Sequence, residues 1–147
     1  MVESAEVNCY ENRGLHLRPL IIIGKTYYFT QSMARVLSDE FLCFVHIFMN
    51  VESWKRSPYK RCAALIIIDV SNSLGILSCS EEVSQLRCLR DDAPIIVISD
   101  VDDAANIMEN IRCGARGYIP TSMPLGAALE VIRLVLSGGV FRPNKGD

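Results

Sequence analysis

Gly114-Ala-Arg-Gly-Tyr-Ile-Pro-Thr-Ser-Met-Pro124, completed one helical length later by Leu136-Ser-Gly-Gly-Val-Phe-Arg-Pro143, is the stretch whose reading decides the fold. Tyr118-Ile119 reads as a short buried strand, and Pro120 to Pro124 as the turn that leaves it. Pro124 suits the first turn of a helix, where its missing N–H costs nothing. From there Leu125, Ala128, Leu129, Ile132, Val135 and Leu136 recur at helical spacing and form one broad apolar stripe. Gly138-Gly139 then ends the helix. Strand, turn and amphipathic helix make one repeatable unit.

The same unit recurs upstream. Leu20-Ile-Ile-Ile23, opened by Pro19, is a continuous apolar run of the kind that a parallel strand buried on both faces shows. Further runs occupy 42–48, 65–68 and 95–98, and segments of helical spacing or composition fill 31–39, 51–57, 81–89, 103–113 and 125–136. Asp102 or Asp103 can cap the helix that turns Ile107, Met108 and Ile111 inward, and Gly114 stops it as a C′ residue would. Strands alternating with helices at this spacing imply βαβ units and a parallel sheet. Five of each predict an α/β, flavodoxin-like, doubly wound five-stranded domain, whose sites lie beyond the carboxyl ends of the strands. Residues 18–139 form this domain, 1–17 a polar extension without a clear period, and 140–147 a short exit.

Bulk properties fit one compact domain and exclude several classes. The chain has 147 residues, half of them apolar, and a formal charge of −2, so no global attraction to nucleic acid is expected. Lys55, Arg56, Lys60 and Arg61 form a local basic stretch whose ordinary reading is a solvated surface. The six cysteines show no C-x-x-C pair and no histidine at ligand spacing. Without a basic-then-apolar leader, the expected setting is the reducing cytoplasm. The apolar runs are too short to cross a bilayer.

The fold directs attention to the residue after each strand. These are Gly24-Lys25 after the first, Asp69 after the third, Ser99 after the fourth, and Pro120-Thr121 after the fifth. Asp69 precedes Ser99 by 30 residues and Thr121 by 52. Together with Ala-Pro-Ile-Ile-Val-Ile-Ser99, Gly114-Ala-Arg-Gly-Tyr-Ile-Pro120 and the exit Leu136-Ser-Gly-Gly-Val-Phe-Arg-Pro143, this pattern resembles the receiver domain of LuxR-type (NarL/FixJ) bacterial response regulators. The match is strong over 93–143, fair around 65–69 and weak in the first sixty residues.

The resemblance implies roles position by position. Asp69 corresponds to the phosphoacceptor, Ser99 to the hydroxyl that binds a phosphoryl oxygen, and Tyr118 to the aromatic switch whose ring orientation reports activation. Thr121 stands where the family has a phosphate-pairing lysine. Gly24-Lys25 stands where it has the acidic pair that holds Mg²⁺. Phosphoryl transfer depends on positioning and charge neutralisation, and magnesium wants hard oxygen ligands. A lysine in place of a carboxylate opposes both, so no Mg²⁺ cofactor is expected.

The resulting expectation is a degenerate receiver, not an enzyme. It is a regulatory module of a two-component-type transcriptional regulator that acts by protein contacts, as a homodimer. Its working surface would lie over 103–113 and 118–136 or on the first and fifth helices. The alternative is a functional phosphoacceptor modified at Asp69 by a histidine kinase. A third, more distant possibility is a small molecule in the strand-end crevice. DNA would be contacted only through a C-terminal helix-turn-helix domain that 140–147 cannot supply.

Each residue also has a plainer reading. Asp69 can simply cap the turn after its strand, Ser99 can bond its own backbone, and Lys25 can be a solvated loop lysine or a fixed counter-ion reaching Asp69. Gly24-Lys25-Thr26 mimics the end of a P-loop, but Pro19 stands where that motif needs glycine. The acidic clusters Asp91-Asp92 and Asp100, Asp102, Asp103 suit a turn and a helix N-terminus. Asp100 and Asp102 are close enough to the rim for stray cation binding. His46, inside an apolar run, reads as structural.

Overall fold

In a computed structural model, residues 18–58, 63–70, 80–87, 93–101 and 103–143 are described. They form five strands and five helices in strict alternation: β1 Leu20–Ile23, α1 Tyr27–Phe41, β2 Val45–Phe48, α2 Val51–Lys55, β3 Leu65–Asp69, α3 Ser80–Arg87, β4 Ile95–Ser99, α4 Ala104–Arg112, β5 Gly117–Pro120 and α5 Leu125–Leu136. All pairings are parallel and the strand order is β2-β1-β3-β4-β5. The doubly wound fold read from the sequence is therefore the one observed.

Burial explains the apolar runs. Every residue of β1, β3 and β4 is buried. Side chains alternate across the pleat. Ile21, Ile23, Ile66, Ile68, Ile95 and Val97 meet Val51, Trp54, Val83, Leu86 and Ile107 from α2, α3 and α4. Leu20, Ile22, Leu65, Ile67, Ile96 and Ile98 meet Leu37 of α1 and Ala128, Val131, Ile132 and Val135 of α5. The edge strand β2 is only half buried.

Helix ends follow the expected chemistry at three points. Asp103 is the N-cap of α4, its side chain accepting the Asn106 N–H at 2.7 Å. Gly114 follows the C-cap of α4 with φ +124°, and Gly138 follows that of α5 with φ +104°. Pro124 occupies the N-cap of α5, one residue earlier than expected.

Several details differ from the sequence reading. α1 begins at Tyr27 and runs to Phe41, which shortens the strand expected at 42–48 to Val45–Phe48. Leu42 is the reason: it closes α1 in the left-handed conformation, φ +53°, its N–H bonded to the Ser38 carbonyl at 2.9 Å. Met108 of α4 and Leu125 of α5, both placed inward from sequence, are 47% and 53% exposed. α5 instead buries Ala128, Val131, Ile132 and Val135, an i, i+3, i+4, i+7 set that includes the overlooked Val131.

Two predictions follow from these local constraints. A Cβ on Gly117 would lie 3.0 Å from Ile96 Cγ1 and 3.3 Å from Val135 Cγ2, so α5 packs on β5 only because nothing intervenes. Gly117→Val should lose about 1–3 kcal/mol in urea unfolding through overpacking. Leu42→Gly should do the reverse. It relieves a left-handed leucine that is 81% exposed, and a gain of up to about 1 kcal/mol is expected in the same measurement.

Candidate functional site

The strand order reverses direction between β1 and β3, and in such sheets the crevice at the carboxyl ends beside that reversal is where ligands bind. Register decides which residues meet there. Ile23 pairs with Ile68, so Gly24 lies beside Asp69. Asp69 pairs with Ile98, placing Ser99 one step beyond it. Ser99 pairs with Pro120, and the Thr121 N–H donates to the Ser99 carbonyl at 3.0 Å. The structure thus gathers Gly24, Asp69, Ser99 and Thr121 on one rim, with Tyr118 three residues before Thr121, within β5.

Packing at the rim is tight. A Cβ on Gly24 would sit 3.0 Å from Asp69 Cβ and 3.1 Å from Thr30 Cγ2. Asp69 is 6% exposed and Thr30 1%. Thr30 is held by its own hydroxyl, which donates to the Tyr27 carbonyl at 3.1 Å. Lys25 is exposed, and none of the ion pairs among the described residues joins it to Asp69.

Ser99 is 3% exposed, and its Oγ accepts the Val101 N–H at 3.0 Å, the local turn its residue type favours. Thr121 is exposed. Tyr118 is fully buried; its hydroxyl donates to the Val101 carbonyl and accepts from Asn106 Nδ2 at 2.7 Å. Thr30 and Asn106 had no place in the sequence reading. The signal for Asn106 was its spacing: Asn106 and Asn110 lie four apart, each immediately before a sheet-facing isoleucine.

The donor set does not fit a magnesium ion. Gly24 offers no carboxylate and has no room to gain one without displacing Asp69 or Thr30. Lys25 beside it carries the wrong charge for a site that needs several hard oxygen ligands. Among the described residues no cluster of three acidic, histidine or cysteine side chains is assembled for a metal. Asp100 is exposed and Asp102 lies outside the described residues.

The remaining candidates lie elsewhere. His46 sits on edge strand β2, where burial pushes its imidazole below the usual range. Burial pushes the Cys43 thiol up, partly offset by a backbone hydrogen bond at Leu20. Of the basic stretch, Lys55 pairs with Glu52 at 3.7 Å and Arg56 is exposed, while Lys60 and Arg61 lie outside the described residues, as do Asp91 and Asp92. Leu20–Ile23, which a P-loop would have to curl around phosphate, is a strand. No described helix is long and apolar enough to cross a membrane.

Comparison with known proteins supports the architecture. No protein-family model matches the chain, and no curated protein matches it significantly. Among solved structures it is similar to a LuxR-family two-component response regulator from Aurantimonas sp. SI85-9A1, with a TM-score of 0.73 at 14% identity over 84% of this chain and 88% of that one. The isolated receiver domain of RcsB from Salmonella enterica serovar Typhimurium, solved with the phosphomimetic BeF3-, gives 0.70 at 15% identity over 87% and 94%. The receiver domain of a response regulator NarL from Mycobacterium tuberculosis gives 0.68 at 12% over 84% and 98%. The chain has the receiver fold.

The crowding at Gly24 is directly testable. Gly24→Asp should cost about 1–3 kcal/mol in denaturant unfolding from overpacking alone. It should also be less stable than the equally bulky Gly24→Asn at pH 7, because the new carboxylate faces Asp69. Neighbouring carboxylates raise each other's pKa, so the gap between the two variants should narrow as pH falls through those raised values and be closed by about pH 4, the ordinary carboxylate value.

Proposed function

We propose that this chain is a regulatory receiver-like domain of a two-component-type transcriptional regulator that works through protein contacts instead of Mg²⁺-dependent aspartyl phosphorylation. The observation that carries this reading is Gly24. At the position corresponding to the receivers' metal-binding carboxylates there is no side chain, and a Cβ there would lie 3.0 Å from Asp69 Cβ and 3.1 Å from Thr30 Cγ2, so both neighbours would have to give by a few tenths of an ångström. Thr121, an exposed neutral residue, stands where the phosphate-pairing cation would be. Phosphoryl transfer in such a site rests on charge neutralisation, and loss of a single electrostatic stabiliser costs on the order of 10²–10³ in rate. In this reading the chain is not an enzyme, acts in the cytoplasm as a homodimer, and takes its input from another signalling protein.

A second reading keeps the chain a phosphoacceptor for a histidine kinase. It is favoured by one observation: Asp69 and Ser99, the two residues that match the receiver pattern by type, end adjacent strands on the same rim. Amide NMR titration with Mg²⁺ and then beryllofluoride separates the two. The first reading expects no shift at Asp69, Ser99 or Tyr118, and no incorporation of phosphate from acetyl phosphate. Saturable shifts spreading from Asp69 to Tyr118 would overturn it in favour of the second.

A further inference from the structure

The two edges of the sheet are finished differently. At β5 the chain engages its own edge. The Phe141 N–H donates to the Arg116 carbonyl at 2.8 Å, Phe141 bridges Gly117 in parallel, and Arg142 reaches Met108 Sδ of α4 at 2.6 Å. At β2 no described strand lies beyond. The Phe44 and Phe48 carbonyls accept the Leu20 and Gly24 N–H groups at 2.9 Å. Alternation along the strand therefore turns the N–H and C=O of Val45 and Ile47 away from β1. Edge strands are ordinarily guarded by charge, proline or a bulge. Val45-His-Ile-Phe48 contains no lysine, arginine, aspartate, glutamate or proline and pairs with β1 in unbroken register. Phe44 and Met49, one at either end, are 72% and 63% exposed. Between this edge and α1 runs an open groove lined by Gln31, Ala34, Arg35, Ser38, Phe44 and Val45.

We propose that β2 is a dimerisation edge: it pairs antiparallel with β2 of a second copy of this chain, joining two five-stranded sheets into one with the two α1 helices side by side over the join. The proposal deepens the homodimer of the reading above, and rests on it, by naming a surface other than α4–β5–α5 or α1–α5. Outward backbone donors and acceptors in alternation are the recognition pattern of another strand. Which strand follows from the other edge. β5 is already engaged by the exit segment, so head-to-tail addition of β2 onto β5 is blocked and a twofold contact between like edges is left. Charge agrees with that choice. The helices that pack on β2 each carry a balanced pair, Arg35 with Asp39 on α1 and Lys55 with Glu52 on α2, so a copy meets its like without net repulsion. A strongly acidic or basic segment would gain nothing from such a surface. The four residues of β2 alone fall short of the roughly 1,200 Å² that specific interfaces bury. The contact therefore includes the groove, where the short side chains of Ala34 and Ser38 leave room beside α1.

Sedimentation equilibrium and amide hydrogen exchange on the full chain test the edge. The parent should dimerise, and exchange at the Val45 and Ile47 amides should slow by about tenfold or more as rising concentration fills the dimer. Phe44→Lys charges an exposed position, and Ile47→Pro removes an outward donor where an edge strand tolerates proline. Each should weaken dimerisation by about tenfold or more. Protection in β3 and β4 should stay at the parent value, which shows that each variant is folded. Leu125→Lys, on the exposed surface of α5, should leave dimerisation unchanged. A chain that is monomeric at every concentration would overturn this proposal together with the homodimer it rests on. A dimer indifferent to Phe44→Lys and Ile47→Pro would overturn the edge and leave the homodimer standing. Protection at Val45 and Ile47 that does not vary with concentration would also overturn it, assigning the edge to another part of the same chain.

Discussion

Burial of β1, β3 and β4 on both faces is the constraint on which the rest of the molecule depends. Where one face of a sheet is wet, a one-residue slip turns apolar side chains into water and register is enforced by that penalty. Here both faces are apolar, so Leu20–Ile23 or Ile95–Ile98 could slip without moving a hydrophobe into solvent. Register must be held at the ends. Asp69 and Ser99 close their strands at the carboxyl rim, Asp69 opposite Ile98, and a slip inward would draw a carboxylate or a hydroxyl into the sheet interior. Both are already buried at the rim, so such a slip would take them from their present partners, at about 1–3 kcal/mol for each group left unsatisfied. The residues that make the rim chemically interesting are thus also those that hold the strands in step.

That dual role bears on the missing carboxylates. With Gly24 in place the β1 end approaches β3 closely enough for Asp69 and the Thr30 methyl to occupy the space a side chain would fill. Lys25 beside it is exposed. The Arg133 guanidinium lies 5.5 Å from the Phe41 ring and pairs with Glu40 across the α1–α5 boundary. This exposed pair contributes little by itself, and the contact that orders this side of the domain is the apolar one between Leu37, Ala128, Val131 and Ile132 and the sheet.

The strands were legible because a sequence such as Ile66-Ile-Ile-Asp69 has few other uses: four or five apolar residues ended by a polar one describe a buried strand and its rim together. α5 was legible to the residue because Pro124 and Gly138 mark both ends. The inner faces of α4 and α5 were less so. Leu125 and Met108 fit an apolar stripe by period, yet Leu125 opens α5 beyond the end of β5, where no sheet lies beneath it. Leu42 was read as strand because leucine gives no hint of a left-handed cap, a role usually held by glycine. At the rim, Gly24, Asp69 and Ser99 could be found by counting from strand ends. Thr30 could not, since its importance comes from what a neighbouring helix brings over the rim, a tertiary relation without local trace. The spacing of Asn106 and Asn110 shows which side of α4 they share but not that Asn106 reaches Tyr118.

The magnitude of the Tyr118 arrangement bears on how such a domain can regulate anything. Each net hydrogen bond contributes about 0.5–1.5 kcal/mol, and burying a large side chain about 1.5–3 kcal/mol. A state with the ring outward would forgo two such bonds and much of that burial, a deficit of roughly 3 kcal/mol that leaves it populated below about one per cent. A partner that needed α4 displaced would have to supply that difference from its own binding energy. A partner that recognised α4 where it stands would supply nothing. Binding to the arrangement with the ring inward is therefore favoured over binding to one that turns it outward.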